Sequence, residues 1–453
     1  MAAAGEYNWR SSLLSRMKQQ PRHILIPDSG RELLRLELAM AFAALGLSVS
    51  RVDPAALSLH AGHGQKHAEP ARQSGKNRTG RNGESPARAC ESIAAQHPCL
   101  VCSVNFAGLS PLRPLLEHVR DLGGDIAVWF VDNPWNVLSG VRDPRWKSLL
   151  LFVSDPGFVA PLRATGAERV FFLPLAGCPE LFAARRKDSP DRFPAPEDLA
   201  PFVFVGRSAF PGKSVFFAKQ TVDPDLMARA KLMLRQGERP DLFWWERAMT
   251  CDPLRFWPGK NARAPAFGAE ESNLVWRRSC LAAAALAGRE PGGQGPGSGP
   301  GPEQEGQAAP GLDIFGDAAW ASMLPAGARL RQPIDYYAQL PAVYRAARYS
   351  LALTSLQLPR GLNQRHFDVW LSGGFCLSDA TPGLALFPPE LTRPVTFARP
   401  EDIGPLAATL EKGHARPALL RDWQAHILER HTYRHRALAI LARAAGDHSP
   451  GII

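Results

Sequence analysis

What this chain lacks narrows it first. Its seven cysteines are an odd number without the spacing of a disulfide framework, which argues for a reducing compartment. Cys99 and Cys102 form a C-x-x-C, but it lies inside the apolar run Pro98 to Val104 and no second Cys or His pair follows at zinc spacing. The pair therefore reads as buried thiols on a strand, and no metal site is expected. No uninterrupted apolar run approaches the roughly 18 residues that span a bilayer, and the opening MAAAGEYNWRSSLLSRMKQQ has no core of signal-peptide length. The expected location is the cytoplasm, with no transmembrane segment. There is no Gly-x-Gly-x-x-Gly after the first strand, no Walker sequence, and no D-x-D at a strand end, which disfavours dehydrogenases, P-loop nucleotidases and a metal-held donor.

The net charge of +10 is spread along the chain rather than gathered on a stripe with interleaved aromatics. Nucleic acid is not expected as a partner. With 453 residues, 45% of them hydrophobic, the chain has material for two domains. Two stretches stand apart in composition, about 60–88 and about 288–310. Both are rich in Gly and polar residues, and both read as disordered surface insertions. The first holds His60, His63 and His67, but a mobile polar loop is a poor frame for metal ligands.

Elsewhere short apolar runs alternate with helical patterns. Strands are predicted at His23 to Pro27, Leu47 to Val52, Cys99 to Val104, Ile126 to Val131, Leu149 to Val153 and Val170 to Leu173. The pattern restarts at Phe202 to Val205, followed by Leu312 to Phe315, Ser350 to Leu353, Phe375 to Ser378 and Val395 to Phe397. Strands apolar throughout, alternating with helices, imply parallel sheets covered on both faces. The predicted fold is α/β: two Rossmann-like domains, 1–195 and 200–420, with a cleft between the carboxyl edges of their sheets. Tyr433, Ala437, Ile440, Leu441 and Ala444 give residues 421–453 an apolar helical face for packing back on the first domain.

The stretch Gln357 to Phe387, QLPRGLNQRHFDVWLSGGFCLSDATPGLALF, carries the chemistry. Pro359-Arg360-Gly361 is a turn, and a helix is predicted from Leu362. Its first amides, near Gly361, Leu362, Asn363 and Gln364, would form an anion site, with Arg365 adding a charged contact. A cap at Asn363 and a solvated Arg365 is the alternative. The N-Q-R-x-F-D stretch before a small-Gly-Gly-Phe resembles the donor segment of group 1 glycosyltransferases, and more closely the spore-maturation CgeB-like family. Phe315-Gly316-Asp317, Pro333 to Tyr344 (PIDYYAQLPAVY), Glu429 to Arg436 (ERHTYRHR) and, in the first half, Trp129 to Pro134 (WFVDNP), Ser154-Asp155-Pro156 and Leu173 to Ala176 are similar to that family as well.

The resemblance implies a GT-B fold and transfer of a sugar from a nucleotide-diphosphate-sugar donor, which serves as co-substrate with no other cofactor. Of the family's two acidic positions, eight apart, the second falls on Asp368 and implies a ribose contact; the first falls on Arg360, which cannot replace a carboxylate. Phe204-Val205-Gly206-Arg207 through Lys213 resembles the first strand and loop of the donor domain. Gly206 would allow close approach, Arg207 and Lys213 would contact phosphate, and the backbone around Ile334 would meet the base. Asp379 would meet a donor hydroxyl or cap the following turn.

On the acceptor side, loops after predicted strands offer Asp28-Ser29-Gly30, Asn105 and Asp132-Asn133. Asp132 is the candidate general base for an inverting reaction, beside a Pro-Trp that could form a sugar platform; capping the next turn is its alternative role. The acceptor is a glycan, a lipid-linked saccharide or a protein. The rival readings are a nucleotide-sugar 2-epimerase on the same fold, an inactive nucleotide- or sugar-binding protein, and an anionic-surface binder. Because residues 292–310 cannot bury enough apolar surface to offset their ordering entropy, deleting them should leave soluble expression and the unfolding midpoint unchanged. Loss of soluble protein would refute the insertion reading.

Overall fold

The computed structural model describes residues 23–28, 33–52, 99–110, 112–121, 123–183, 198–251, 259–289, 309–413 and 415–447. The two stretches read as insertions, the His60 cluster, and Ser29-Gly30 lie outside them, apart from residues 288, 289, 309 and 310 at the edges of the second.

The first sheet is built from β1 (His23–Pro27), β2 (Ser48–Val52), β3 (Cys99–Val104), β4 (Asp125–Phe130), β5 (Leu150–Val153) and β6 (Val170–Phe172), in the order β2-β1-β3-β4-β5-β6. The second contains β7 (Phe202–Val205), β8 (Leu312–Phe315), β9 (Ala328–Arg331), β10 (Tyr349–Ala352), β11 (Cys376–Asp379) and β12 (Thr396–Phe397), in the order β12-β11-β10-β7-β8-β9. Every pairing in both sheets is parallel.

Side chains alternate across the first sheet with the two-residue period of a strand, and both faces are buried. Ile24, Ile26, Leu100, Cys102, Ala127 and Trp129 join the core that also contains Phe202, Phe204 and Leu351 of the second sheet. Leu25, Val101, Ile126, Val128 and Phe130 face the other way. Helix α1 (Arg35–Ala44) covers the first of these faces together with α11 (Tyr433–Ala444), which packs on α1 and β4. The closing helix thus crosses back to the first domain. Tyr433 meets Trp129 edge to face at 6.1 Å, and the buried Arg436 donates to the carbonyls of Pro174 and Leu175. Burial brings the Arg436 guanidinium down to about 10, partly offset by Tyr433. Helix α2 (Leu112–Asp121) runs from β3 to β4. Helix α3 (Val159–Ala164) links β5 to β6 in the first domain; in the second half of the chain α4 (Pro224–Arg235) and α5 (Leu242–Ala248) precede the longest helix, α6 (Lys260–Ala287). Beyond them come α7 (Leu340–Ala346), α8 (Arg365–Leu371), α9 (Ile403–Lys412) and α10 (Arg416–Arg430).

Strand β9 and helix α6 are among the elements that the sequence patterns did not announce. Strand β9, ARLR, is half-buried along its whole length at the sheet edge, so it has no apolar run to announce it. Helix α6 is interrupted in sequence by Pro265 and Gly268. A Cβ at Gly268 would stand 2.5 Å from the Trp245 ring, so the glycine is required by the close approach of α5. Ala262, Ala266 and Ala269 of α6 share a core with Trp135, Leu138 and Phe158 of the first domain, while its later residues Trp276, Leu281 and Ala284 belong to the core of the second. One helix spans the seam. No helix among the described residues is long and apolar enough to cross a membrane.

The second sheet holds a fully buried charge at Asp313, on β8. Its carboxylate accepts from Arg329 Nε at 2.7 Å, Arg331 Nε at 3.2 Å and the Ala200 amide at 2.9 Å. Burial alone would raise its pKa, but these donors outweigh that and hold it below the usual carboxylate value. A depressed folded pKa adds stability that is present above the ordinary value of about 4 and is lost as pH falls through the folded one. Asp313→Ala should therefore cost about 2–3 kcal/mol at pH 7, since both arginines keep some solvent. In urea unfolding the gap between wild type and variant should shrink at pH 3; an equal gap at both pH values would contradict this origin.

Candidate functional site

The carboxyl edges of the two sheets face one another, and between them lies a cavity of about 520 Å³. Its first-domain wall comes from Leu34, Asn105 and Asp132; its second-domain wall comes from residues 361–365 and Arg277.

Asn105 follows β3 with φ 50°, and Phe106 after it has φ 65°. Two successive non-glycine residues in the left-handed region cost conformational energy and persist only where surrounding contacts hold them. Here Asn105 Oδ1 accepts from the amide of Val131 at 2.9 Å, and Nδ2 donates to Asp132 Oδ2 at 2.7 Å. The strained turn thus aims the Asp132 carboxylate. Solvent reaches Asp132, yet the cleft walls crowd it: desolvation raises its pKa, with the Asn105 hydrogen bond opposing. The turn after it is capped by Asn133, whose Oδ1 accepts from the Trp135 amide, so Asp132 is not the cap. Trp135 is fully buried against Phe158 and forms no sugar platform.

On the opposite wall, Gly361, Leu362, Asn363, Gln364 and Arg365 line the cavity. The helix begins at Arg365, not Leu362, and has only seven residues. Its first amide, that of Arg365, already donates to Asn363 Oδ1, while Asn363 Nδ2 donates to the Leu353 carbonyl. The Asn363 side chain ties the turn ahead of the helix, and of the amides at 361–364 that of Gly361 donates to the Leu358 carbonyl. Arg365 supplies positive charge at this wall. Its Nε donates to the Val205 carbonyl at 2.7 Å, Nη2 donates to the same oxygen, and the guanidinium lies 5.3 Å from the Phe204 ring centre. A Cβ on Gly206 would come 2.7 Å from Nη2, so Gly206 makes room for this side chain.

The other expected residues fall elsewhere. Arg360 is exposed; its amide, not its side chain, matters, donating to Asp155 Oδ2 at 2.8 Å across the domain boundary. Asp368 does not reach the cavity. It is buried under the Tyr336 hydroxyl, which donates to it, and desolvation raises its pKa well above the usual range against that hydrogen bond. Asp379 is wholly buried and committed to Arg239, Trp276 Nε1 and both the amide and hydroxyl of Thr354, so it meets no ligand hydroxyl. Lys213 pairs with Glu271 at 2.8 Å. Together with the exposed Arg207 it lines a separate open depression. Ile334 follows β9 and packs against Val203, Phe315 and Val343.

Three further residues had no assigned role. Arg277, on α6, lines the cavity; its helix carried no readable period. Gln357 donates to Glu270 at 2.7 Å and accepts from Asn136, a relay between the domains that no motif announces. Asp155 lay in a recognisable Ser-Asp-Pro, but its partner is 205 residues away. Among the described residues no group of three or more His, Cys, Asp or Glu side chains is arranged to hold a metal ion.

Residues 304–442 match the protein family described as Glycosyl transferase-like, so this segment is similar to a glycosyltransferase domain. The architecture is two six-stranded parallel sheets facing across a cleft. Among solved structures, the chain is similar to Anabaena HepE in complex with UDP-glucose, with 10% identity over 94% of this chain and 99% of that one and a TM-score of 0.46. It is similar also to the α,α-trehalose 6-phosphate synthase of Burkholderia multivorans, at 12% identity over 94% and 97% with a TM-score of 0.42. A third is the N-terminal domain of Candida albicans trehalose-6-phosphate phosphatase, at 10% over 95% and 98% with a TM-score of 0.45. No curated protein matches the sequence.

The Asp155 carboxylate also accepts from the Gly157 amide at 2.7 Å. Burial pushes its pKa up to about 6 despite the amides of Arg360 and Gly157. A raised folded pKa means the native state holds a proton that the unfolded chain has released, so this contribution to stability is lost as pH rises from about 4 to about 6. The stability difference between wild type and Asp155→Ala, by urea unfolding, should fall across that window with a slope of up to about 1.4 kcal/mol per pH unit. A difference that grows with pH would reverse the sign and refute it.

Proposed function

We propose that the protein is a glycosyltransferase that moves a sugar from a nucleoside-diphosphate sugar, held by the second domain, to an acceptor hydroxyl presented at the first. One observation carries this: Asp132 of one domain and residues 361–365 of the glycosyltransferase-like segment line the same cavity. Transfer needs positive charge where the diphosphate leaves and, for inversion, a base where the acceptor loses its proton. Arg365, held by Val205, stands on the first side. Asp132, aimed by Asn105 and with its proton affinity raised, stands on the other. The positive charge is assigned to arginine, with no metal ion in the reading.

The N-Q-R-x-F-D stretch supports placing the chain in the CgeB-like branch, and the described cysteines, all free, support a cytoplasmic location. The acceptor is a glycan, a lipid-linked saccharide or a protein. Binding without turnover is the second reading, favoured by the exposed Arg360 at the first acidic position and by Tyr336 covering Asp368.

The deciding measurement is nucleoside-diphosphate release from a panel of nucleotide sugars, with and without sugar acceptors. Asp132→Asn should reduce turnover about 100-fold or more, the scale of general-base loss, while nucleoside-diphosphate affinity stays within about twofold. Nucleotide binding without release from any donor would select the second reading, and absence of nucleotide binding would remove both.

A further inference from the structure

The cationic wall contains an asymmetry that the carboxylates around it do not resolve. Arg365 is committed, with two nitrogens on one carbonyl and its plane near Phe204. Arg277, lining the same cavity from α6, is different. Its Nη1 makes one long contact to the Arg207 carbonyl at 3.4 Å, and its Nε is buried with no partner. Desolvation, together with the neighbouring Arg365 charge, lowers its pKa, while Glu270 and Asp379 act in the opposite direction.

Neither of those acids reaches Arg277 as a hydrogen-bonded partner. Glu270 binds Gln357 at 2.7 Å and Asp379 is taken by Arg239, Trp276 and Thr354. Nearby Asp317 accepts from the amide and hydroxyl of Ser208, and Glu271 pairs with Lys213. One turn earlier on α6, Asn273 is buried with neither its oxygen nor its nitrogen bonded. Leaving a buried guanidinium donor open beside a second cation is costly unless an anion completes the site.

We infer that Arg277 receives the diphosphate in this cleft, with Arg365 as its fixed neighbour, so that α6 supplies the anchoring charge in place of Arg207 and Lys213. A planar guanidinium with no carboxylate partner can donate to two phosphate oxygens through a fixed parallel fork, which an ammonium with three rotatable donors does not preorganise. The assignment rests on the nucleoside-diphosphate reading for its biological ligand, but the anion seat itself does not. Monophosphates, with fewer oxygens and less charge, should gain less from it.

Calorimetric titration tests this with inorganic pyrophosphate, with uridine, guanosine and adenosine diphosphates, and with the corresponding monophosphates. Arg277→Gln should weaken pyrophosphate and the best diphosphate at least 10-fold and shrink the preference over the monophosphate; Arg277→Lys should recover only part of the loss. Unchanged pyrophosphate affinity in folded Arg277→Gln protein, or no binding of pyrophosphate or any diphosphate by wild type, overturns the inference. If pyrophosphate binds through Arg277 but no nucleoside diphosphate binds more tightly, the seat stands and the donor reading falls. If a diphosphate binds equally well to both proteins, the reverse holds. Should Arg277→Gln not fold, hydrogen exchange on wild type gives the answer: pyrophosphate should protect amides around Arg277 on α6, and binding without that protection overturns the assignment.

Discussion

The amide of Arg360 donates to Asp155 across the domain boundary at 2.8 Å, and the next residue, Gly361, begins the stretch that lines the cleft. Asp155 is held in turn by Gly157, at the start of the short helical segment after β5. The segment between β10 and α8 is thereby pinned to the first domain at its middle. It then turns through Gly361 to present Arg365. The Asn136–Gln357–Glu270 relay fastens the same segment three residues earlier. Tyr337 reaches Glu37 of α1 at 2.7 Å on the far side. Buried hydrogen bonds of this kind are costly to leave unmade, so the two sheets are held in one mutual arrangement rather than merely joined by a linker.

Packing reinforces that constraint. Helix α6 places its early alanines in a core shared with the first domain and its later residues in the core of the second. The closing helix α11 returns from the second domain to cover α1 and β4. Both helices thus tie the second half of the chain to the first domain. A change of cleft width has to shear these contacts, and Gly268 against Trp245 leaves little slack at one of them.

Electrostatically the cleft is polarised. Asp132 stands on one wall, oriented by a strained asparagine, and two guanidinium groups stand on the other. The carboxylates that would neutralise those cations are occupied elsewhere: Asp379 inside the second sheet, Glu270 in the interdomain relay, Glu271 with Lys213. A field of this kind favours a ligand that carries its negative charge at one end, because charge–charge interactions strengthen where water is excluded. Asp368 and Asp379 were the acids most visible in sequence, and both are buried in the framework of the second domain.

The sequence by itself determined the two parallel sheets, since strands buried on both faces must be apolar throughout and their runs can be read directly. Eleven of the strands lie within a residue of their predicted places; β9, a charged edge, carries no such signal. The stretch from Gly361 to Arg365 was legible as a turn before a helix because of its Gly and Asn, and Asp132 as a residue following a strand into the cleft; both line the cavity. Only the tertiary structure decided which side chains are available. Local pattern cannot reveal that Tyr336 covers Asp368, that Thr354 and Trp276 claim Asp379, or that Trp135 is buried against Phe158. Nor could it reveal Arg277, which belongs to a helix whose Pro and Gly obscure its period and whose importance arises from Arg365, 88 residues further on. Strand burial is a property of neighbours along the chain, whereas the availability of a polar side chain depends on partners that folding alone brings near.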